Sequence, residues 1–159
     1  MLSGLIAALC LGQTNARSIL EFGVKPEASA AENTLALQKA IDWASPRGAA
    51  LFVDPSPEPY ALNGGLVLKA NVSLIGVHGP TGRGTKHPTK AQPVGSVFAI
   101  KDSSKPFITV ESSSQIKGIQ FWYPYQTVSD PTKVVVYPPT IQVSQKSSDM
   151  GVTLRDHTF

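Results

Sequence analysis

Leu66-Val67-Leu68-Lys69-Ala70-Asn71-Val72-Ser73-Leu74-Ile75-Gly76 is two short apolar runs joined by a polar turn. Each run is rich in branched residues and too short for a helix, so each reads as a strand, with Lys69-Ala70-Asn71 as the turn. The same unit returns as Ile108-Thr109-Val110, the polar segment 111–115, then Ile116-Lys117-Gly118-Ile119. It returns again as Ile141-Gln142-Val143, the polar segment 144–151, then Val152-Thr153-Leu154. Strand-turn-strand units at an irregular period of about 30 to 40 residues predict a solenoid whose coils bury one another's apolar faces. A β-sandwich or barrel also shows short strands at intervals.

A lone amphipathic helix favours the solenoid. Ser29-Ala30-Ala31-Glu32 has the capping-box spacing, in which Ser and Glu each satisfy a free backbone N–H. Leu37, Ala40, Ile41 and Ala44 then form one apolar stripe, and Ser45-Pro46-Arg47-Gly48 ends the helix. A solenoid needs such a cap because its open end exposes apolar strands. Further strands are expected at Leu51–Val53, Ser96–Ile100, Phe107–Val110, Ile116–Phe121, Val134–Val136 and Thr140–Val143. Segments 79–95 and 124–133 read as loops from their Gly and Pro content.

Residues 1–16 contain no charge; Leu5 to Leu11 is an apolar core followed by Gly12-Gln13-Thr14-Asn15-Ala16. That order matches a signal peptide over 1–16, with Thr14 and Ala16 at the small cleavage positions, leaving 17–159 as the folded domain. The alternatives are a start internal to a longer frame or a hydrophobic N-terminal strand. The run is too short to span a bilayer. Export is therefore the expected fate, to a secreted, extracellular or periplasmic location.

The chain has 159 residues, 42% hydrophobic and 16% charged, which fits a folded domain and not a disordered one. Its 14 basic and 11 acidic residues are dispersed, so the net charge of +3 makes no nucleic-acid footprint. One cysteine, Cys10, excludes a disulfide framework and a Cys-based zinc site. His78 and His157 lack a carboxylate or Cys at ligand spacing, so no metal is indicated and no cofactor is named.

Ile19-Leu20-Glu21-Phe22-Gly23-Val24-Lys25, then Glu32-Asn33-Thr34-Leu35-Ala36-Leu37-Gln38-Lys39-Ala40-Ile41-Asp42, resembles the N-terminal signature of the pectate lyase superfamily domain (rhamnogalacturonase or epimerase-like). Phe52-Val53-Asp54-Pro55, Tyr60 and the stretch 66–76 continue the likeness, which covers residues 19–159 and is best over 19–76. The chain departs from the family at Pro26-Glu27-Ala28-Ser29, in place of Gly-Asp-Gly, and at Glu32-Asn33, in place of Asp-Asp. The resemblance implies an all-β fold: a right-handed, single-stranded parallel β-helix with an N-terminal capping α-helix, truncated at its C-terminus. It also implies action on, or binding of, acidic polysaccharides such as pectin.

The catalytic residues of such an activity are not legible. Glycoside hydrolysis needs two facing carboxyl groups, and the eleven acidic residues form no close pair in sequence. The family's Asn-Thr-Asp, Asp-Asp, Gly-His-Gly and Arg-x-Lys motifs are missing; Asn33-Thr34-Leu35 and Val77-His78-Gly79 stand instead. No acidic cluster suits calcium-dependent elimination. The stretch 152–159 reads as the opening of another coil with no cap behind it, so the chain is expected to be the N-terminal part of a longer protein. The resemblance makes that protein a secreted hydrolase or lyase with its catalytic coils beyond Phe159. Its rival is a non-catalytic polysaccharide-binding or tailspike-like module.

Candidate binding residues are Trp122, Tyr123, Tyr125 and Tyr137, whose rings either stack on sugars or anchor the core. Alternation puts Phe121 and Tyr123 on one face and Trp122 on the other. Arg83 and Lys86, in the basic segment Gly79–Lys90, either meet an acidic polysaccharide or form a plain surface loop. The near-P-loop spacing of Gly79–Lys86 is no nucleotide site, because Pro88 and Pro93 preclude the helix that must follow. Asn71-Val72-Ser73 fits a glycosylation acceptor.

Overall fold

The computed structural model describes residues 15–78, 95–102, 104–126, 131–144 and 151–156. Among these residues, eleven strands of three or four residues and one α-helix follow in chain order. They are β1 (Ala16–Ser18), α1 (Ala30–Ala44), β2 (Ala50–Val53), β3 (Tyr60–Leu62), β4 (Leu66–Leu68) and β5 (Ser73–Gly76). Then come β6 (Val97–Ile100), β7 (Ile108–Val110), β8 (Gln115–Lys117), β9 (Gln120–Trp122), β10 (Ile141–Val143) and β11 (Thr153–Arg155).

Among the described residues every pairing between these strands is parallel, and the strands sort into three sheets, ordered β1-β2-β5-β8-β11, β3-β6-β9 and β4-β7-β10. From β2 onward the chain visits the sheets in rotation. The repeated units stack in register: Leu66, Ile108 and Ile141 align, as do Leu74, Ile116 and Leu154. Residues one repeat apart are thus neighbours across a sheet, roughly 4.8 Å away.

This corrects the expectation of an all-β, single-stranded β-helix. The apolar runs are so short, and so regularly interrupted by turns, that pairing divides among three separate parallel sheets. Of the described residues, 21% are helical and 33% lie in strands, which makes the chain mixed α/β. The helix is part of the core: Leu37, Ala40, Ile41 and Ala44 are fully buried against β2, β3 and β4. Burying Leu37 and Ile41 stabilises the fold by about 2 kcal/mol each.

Local chemistry sets the element boundaries. The Ser29 hydroxyl accepts from Glu32 N–H at 3.3 Å, and the Glu32 carboxylate accepts from Ser29 N–H at 3.0 Å, forming the expected capping box. The expected strand Ile116–Phe121 divides into β8 and β9, because Gly118 turns the chain with φ +68°. A Cβ at Gly118 would overlap the carbonyl oxygen of Gly76, so this corner admits only glycine. Val134–Val136 is not a strand; Val134 and Val136 are exposed. Two strands had no clear sequence signal: β1, and β3 with its Tyr-Ala-Leu sequence. The proposed signal peptide lies almost wholly outside the described residues, although Asn15 already accepts a 2.7 Å bond from Ala50 N–H and Ala16 opens β1.

The α1 side of the stack is closed by polar side chains. Among the described residues β4 pairs only with β7 and β3 only with β6, which leaves their outer backbone groups to the helix. Gln38 supplies a strand-like pair: its Oε1 accepts from Val67 N–H at 2.9 Å and its Nε2 donates to Val67 C=O at 3.1 Å. Asn33, fully buried, donates to Ala61 C=O at 3.1 Å, and Thr34 Oγ1 accepts from Asn63 N–H at 2.8 Å. Around the same end, Trp43 packs on Phe22 at 5.4 Å, with the Arg17 and Arg47 guanidiniums 4.7 and 5.0 Å from its ring.

Replacing Gln38 with Leu keeps the helix and strands the Val67 N–H and C=O. The expected loss is about 2 kcal/mol or more, as two backbone groups lose their partners. Urea unfolding of the variant against wild type measures it; an unchanged midpoint would show that the Gln38 pair contributes nothing.

Candidate functional site

The β3-β6-β9 sheet carries the candidate site on its outer face. Alternation turns Tyr60, Phe98 and Phe121 inward as an aligned column. Their rings pack edge to face or tilted, Tyr60 to Phe98 at 6.5 Å and Phe98 to Phe121 at 6.4 Å, with Phe107 against both phenylalanines. The outward row beside this column is Ala61, Ala99 and Trp122, also in register. Two alanines leave a depression, and Trp122 rises at its end.

An open groove of about 440 Å³ follows that row, lined by Pro26, Glu27, Glu58, Pro59, Ala61, Ala99, Lys101 and Trp122. Its volume falls within the range of small-molecule sites. Lys101 leaves the end of β6 so that its ammonium sits 6.0 Å from the Trp122 ring and 5.3 Å from the Tyr125 ring. The groove thus combines an aromatic face, one ammonium and two carboxylates, a set able to stack on a ring and exchange hydrogen bonds with hydroxyls.

The sequence-proposed aromatics divide between two roles. Trp122 is half-buried and lines the groove, and Tyr125 is 55% exposed at its rim beside Lys101. Tyr123 and Tyr137 pack against each other at 4.5 Å, edge to face. The Tyr123 hydroxyl bonds the Thr140 hydroxyl, and its ring lies against the core. Burial raises the phenol pKa of both residues. These two anchor the segment after β9, leaving Trp122 and Tyr125 as the rings available to a ligand. Arg83, Lys86 and the near-P-loop spacing fall in 79–94, outside the described residues, as does His157.

Sequence reading missed Glu27, Glu58 and Lys101. Glu27 precedes the helix, Glu58 precedes β3 and Lys101 follows β6, so nothing in their spacing links them. The one available signal was the alternation of Tyr60-Ala61-Leu62, which puts a small residue outward between two large inward ones. Asn71 of the glycosylation motif is exposed in the turn between β4 and β5, with φ +65°, while Val72 is fully buried. Among the described residues, no three His, Cys, Asp or Glu side chains gather as a metal site. Within the same limit, no helix is long and apolar enough to cross a membrane.

Comparison with protein-family models, curated proteins and solved structures finds no match to this chain.

Tyr60 fixes the floor of the site, and its ionisation offers a test of that role. Burial, followed by the nearby Asp54 and Glu27 carboxylates, pushes its phenol up to about 12. Its hydroxyl donates to Asp54 C=O at 3.0 Å. Because the folded value lies above the unfolded one, this stability is intact below pH 10 and is lost as pH rises from about 10 towards about 12. The loss is at most about 3 kcal/mol, at 1.4 kcal/mol per pH unit. Unfolding midpoints across that window should fall in wild type and fall less steeply in Tyr60→Phe; equal slopes would remove Tyr60 as the cause.

Proposed function

We propose that the chain binds a polysaccharide along the outer face of the β3-β6-β9 sheet. The observation that carries this reading is the groove itself, where Trp122 and Lys101 meet Glu27 and Glu58 over a floor of two alanines. A sugar ring has an apolar C–H face and a rim of hydroxyls. Trp122 suits the face, while the carboxylates accept from the rim and Lys101 donates to it. An open groove also admits internal units of a long polymer, which a closed pocket would exclude. The sequence resemblance to the pectate lyase superfamily points to the same class of ligand. Export, expected from the Leu5–Leu11 run, would bring the chain to extracellular polymers.

A second reading makes the chain part of a polysaccharide-cleaving enzyme. Its support is that Glu27 and Glu58 line one groove, since glycoside hydrolysis employs two carboxyl groups around the bond.

Trp122→Ala should weaken oligosaccharide binding by roughly tenfold, the loss of one stacking contact and its buried area. Isothermal titration of wild type and variant measures it, and unchanged affinity would exclude the groove as the binding site. Reducing-end release from the bound oligosaccharide separates the two readings. Cleavage abolished by Glu27→Gln or Glu58→Gln establishes the enzyme; binding without any release leaves the binding module.

A further inference from the structure

The described charges of the groove argue against the acidic ligand implied by the sequence resemblance. Two carboxylates, Glu27 and Glu58, line it against a single ammonium, Lys101. Neither carboxylate has an ion-pair partner within 4.0 Å among the described residues, so no described cation neutralises either at contact distance. Both side chains are exposed, and their field extends over about 8 Å at physiological salt. Lys101, in turn, faces the Trp122 and Tyr125 rings, where cation–π attraction already engages its charge.

A polyuronate carries one negative charge on each sugar. A polyuronate resting a ring on Trp122 brings several carboxylates into a groove with net charge −1, counting Glu27 and Glu58 against Lys101. A neutral polysaccharide offers the same stacking face and the same hydroxyls with no such repulsion. Its hydroxyl protons are donors, which carboxylate oxygens need, and its ring and hydroxyl oxygens are acceptors for Lys101.

We infer that the Glu27–Glu58–Lys101–Trp122 groove selects a neutral polysaccharide over an acidic one. This rests on the groove being the saccharide site proposed above. The two carboxylates set the selectivity and Trp122 sets the affinity.

The test uses the full chain, titrated calorimetrically with neutral hexasaccharides of β-linked glucose, mannose and xylose and with oligogalacturonate of the same length. At least one neutral ligand should bind about threefold to tenfold more tightly than oligogalacturonate at roughly 20 mM salt, the gap narrowing at roughly 0.5 M as charge is screened. The Glu27→Gln/Glu58→Gln double variant should bind oligogalacturonate about threefold to tenfold better than wild type at low salt. Both side chains are exposed, so folding should survive the change, and a circular dichroism spectrum like wild type checks this. Oligogalacturonate binding tighter than every neutral ligand, and lost in Trp122→Ala, would overturn the selectivity and keep the site. Binding of no saccharide would overturn the site and the selectivity together.

Discussion

The backbone of the first parallel strands has to be satisfied before anything can stack on them. Among the described residues β3 and β4 each have a sheet partner on one side only, and a parallel edge left bare in a core costs the desolvation of every N–H and C=O along it. The helix meets that demand with side chains. Gln38 bonds both groups of Val67, Asn33 takes Ala61 C=O, and Thr34 takes Asn63 N–H. β1 does the equivalent for β2 by ordinary pairing. Each later strand then adds to an edge whose register is already decided.

Register carries this constraint outward to the groove. Once β3 is held, Tyr60 is fixed inward, and Phe98 and Phe121 must align with it. Their ring contacts, with Phe107, fill the interior that the sheet covers. The outward row follows without freedom, because side chains alternate across a strand: Ala61, Ala99 and Trp122 have to share one line. Glu27 joins them from the segment just ahead of the helix, and Glu58 from the approach to β3. The same arrangement that closes the α1 side of the stack therefore brings an acidic residue from each of two segments beside one tryptophan.

Much of the local structure was legible from residue type. The capping box at Ser29, the buried stripe of α1 and the short strands of the three strand-turn-strand units all rest on short-range chemistry, and all are present. The legible part ended where a single residue overrode a pattern. Gly118 breaks the apolar run 116–121 into two strands of different sheets, because its positive φ and its contact with Gly76 make a corner. Val134–Val136 has strand-like composition and no strand beside it among the described residues, so propensity alone did not make a strand there. The aromatic cluster was visible, but its division into anchors and exposed rings was not. Tyr123 and Tyr137 find each other across a 14-residue separation, and only packing pairs them.

The sequence by itself determined the helix with its capping box, the repeated strand-turn-strand units and which of their faces are apolar, because those properties depend on neighbours within a few residues. Tertiary structure decided that the strands form three parallel sheets with an integral helix, correcting the all-β expectation. It alone decided that Glu27, Glu58, Lys101 and Trp122 share one groove. Parallel pairing joins residues separated by a whole repeat, and each repeat here carries an insertion of its own length. Proximity across sheets is therefore set by register and packing, which no short stretch of the chain encodes.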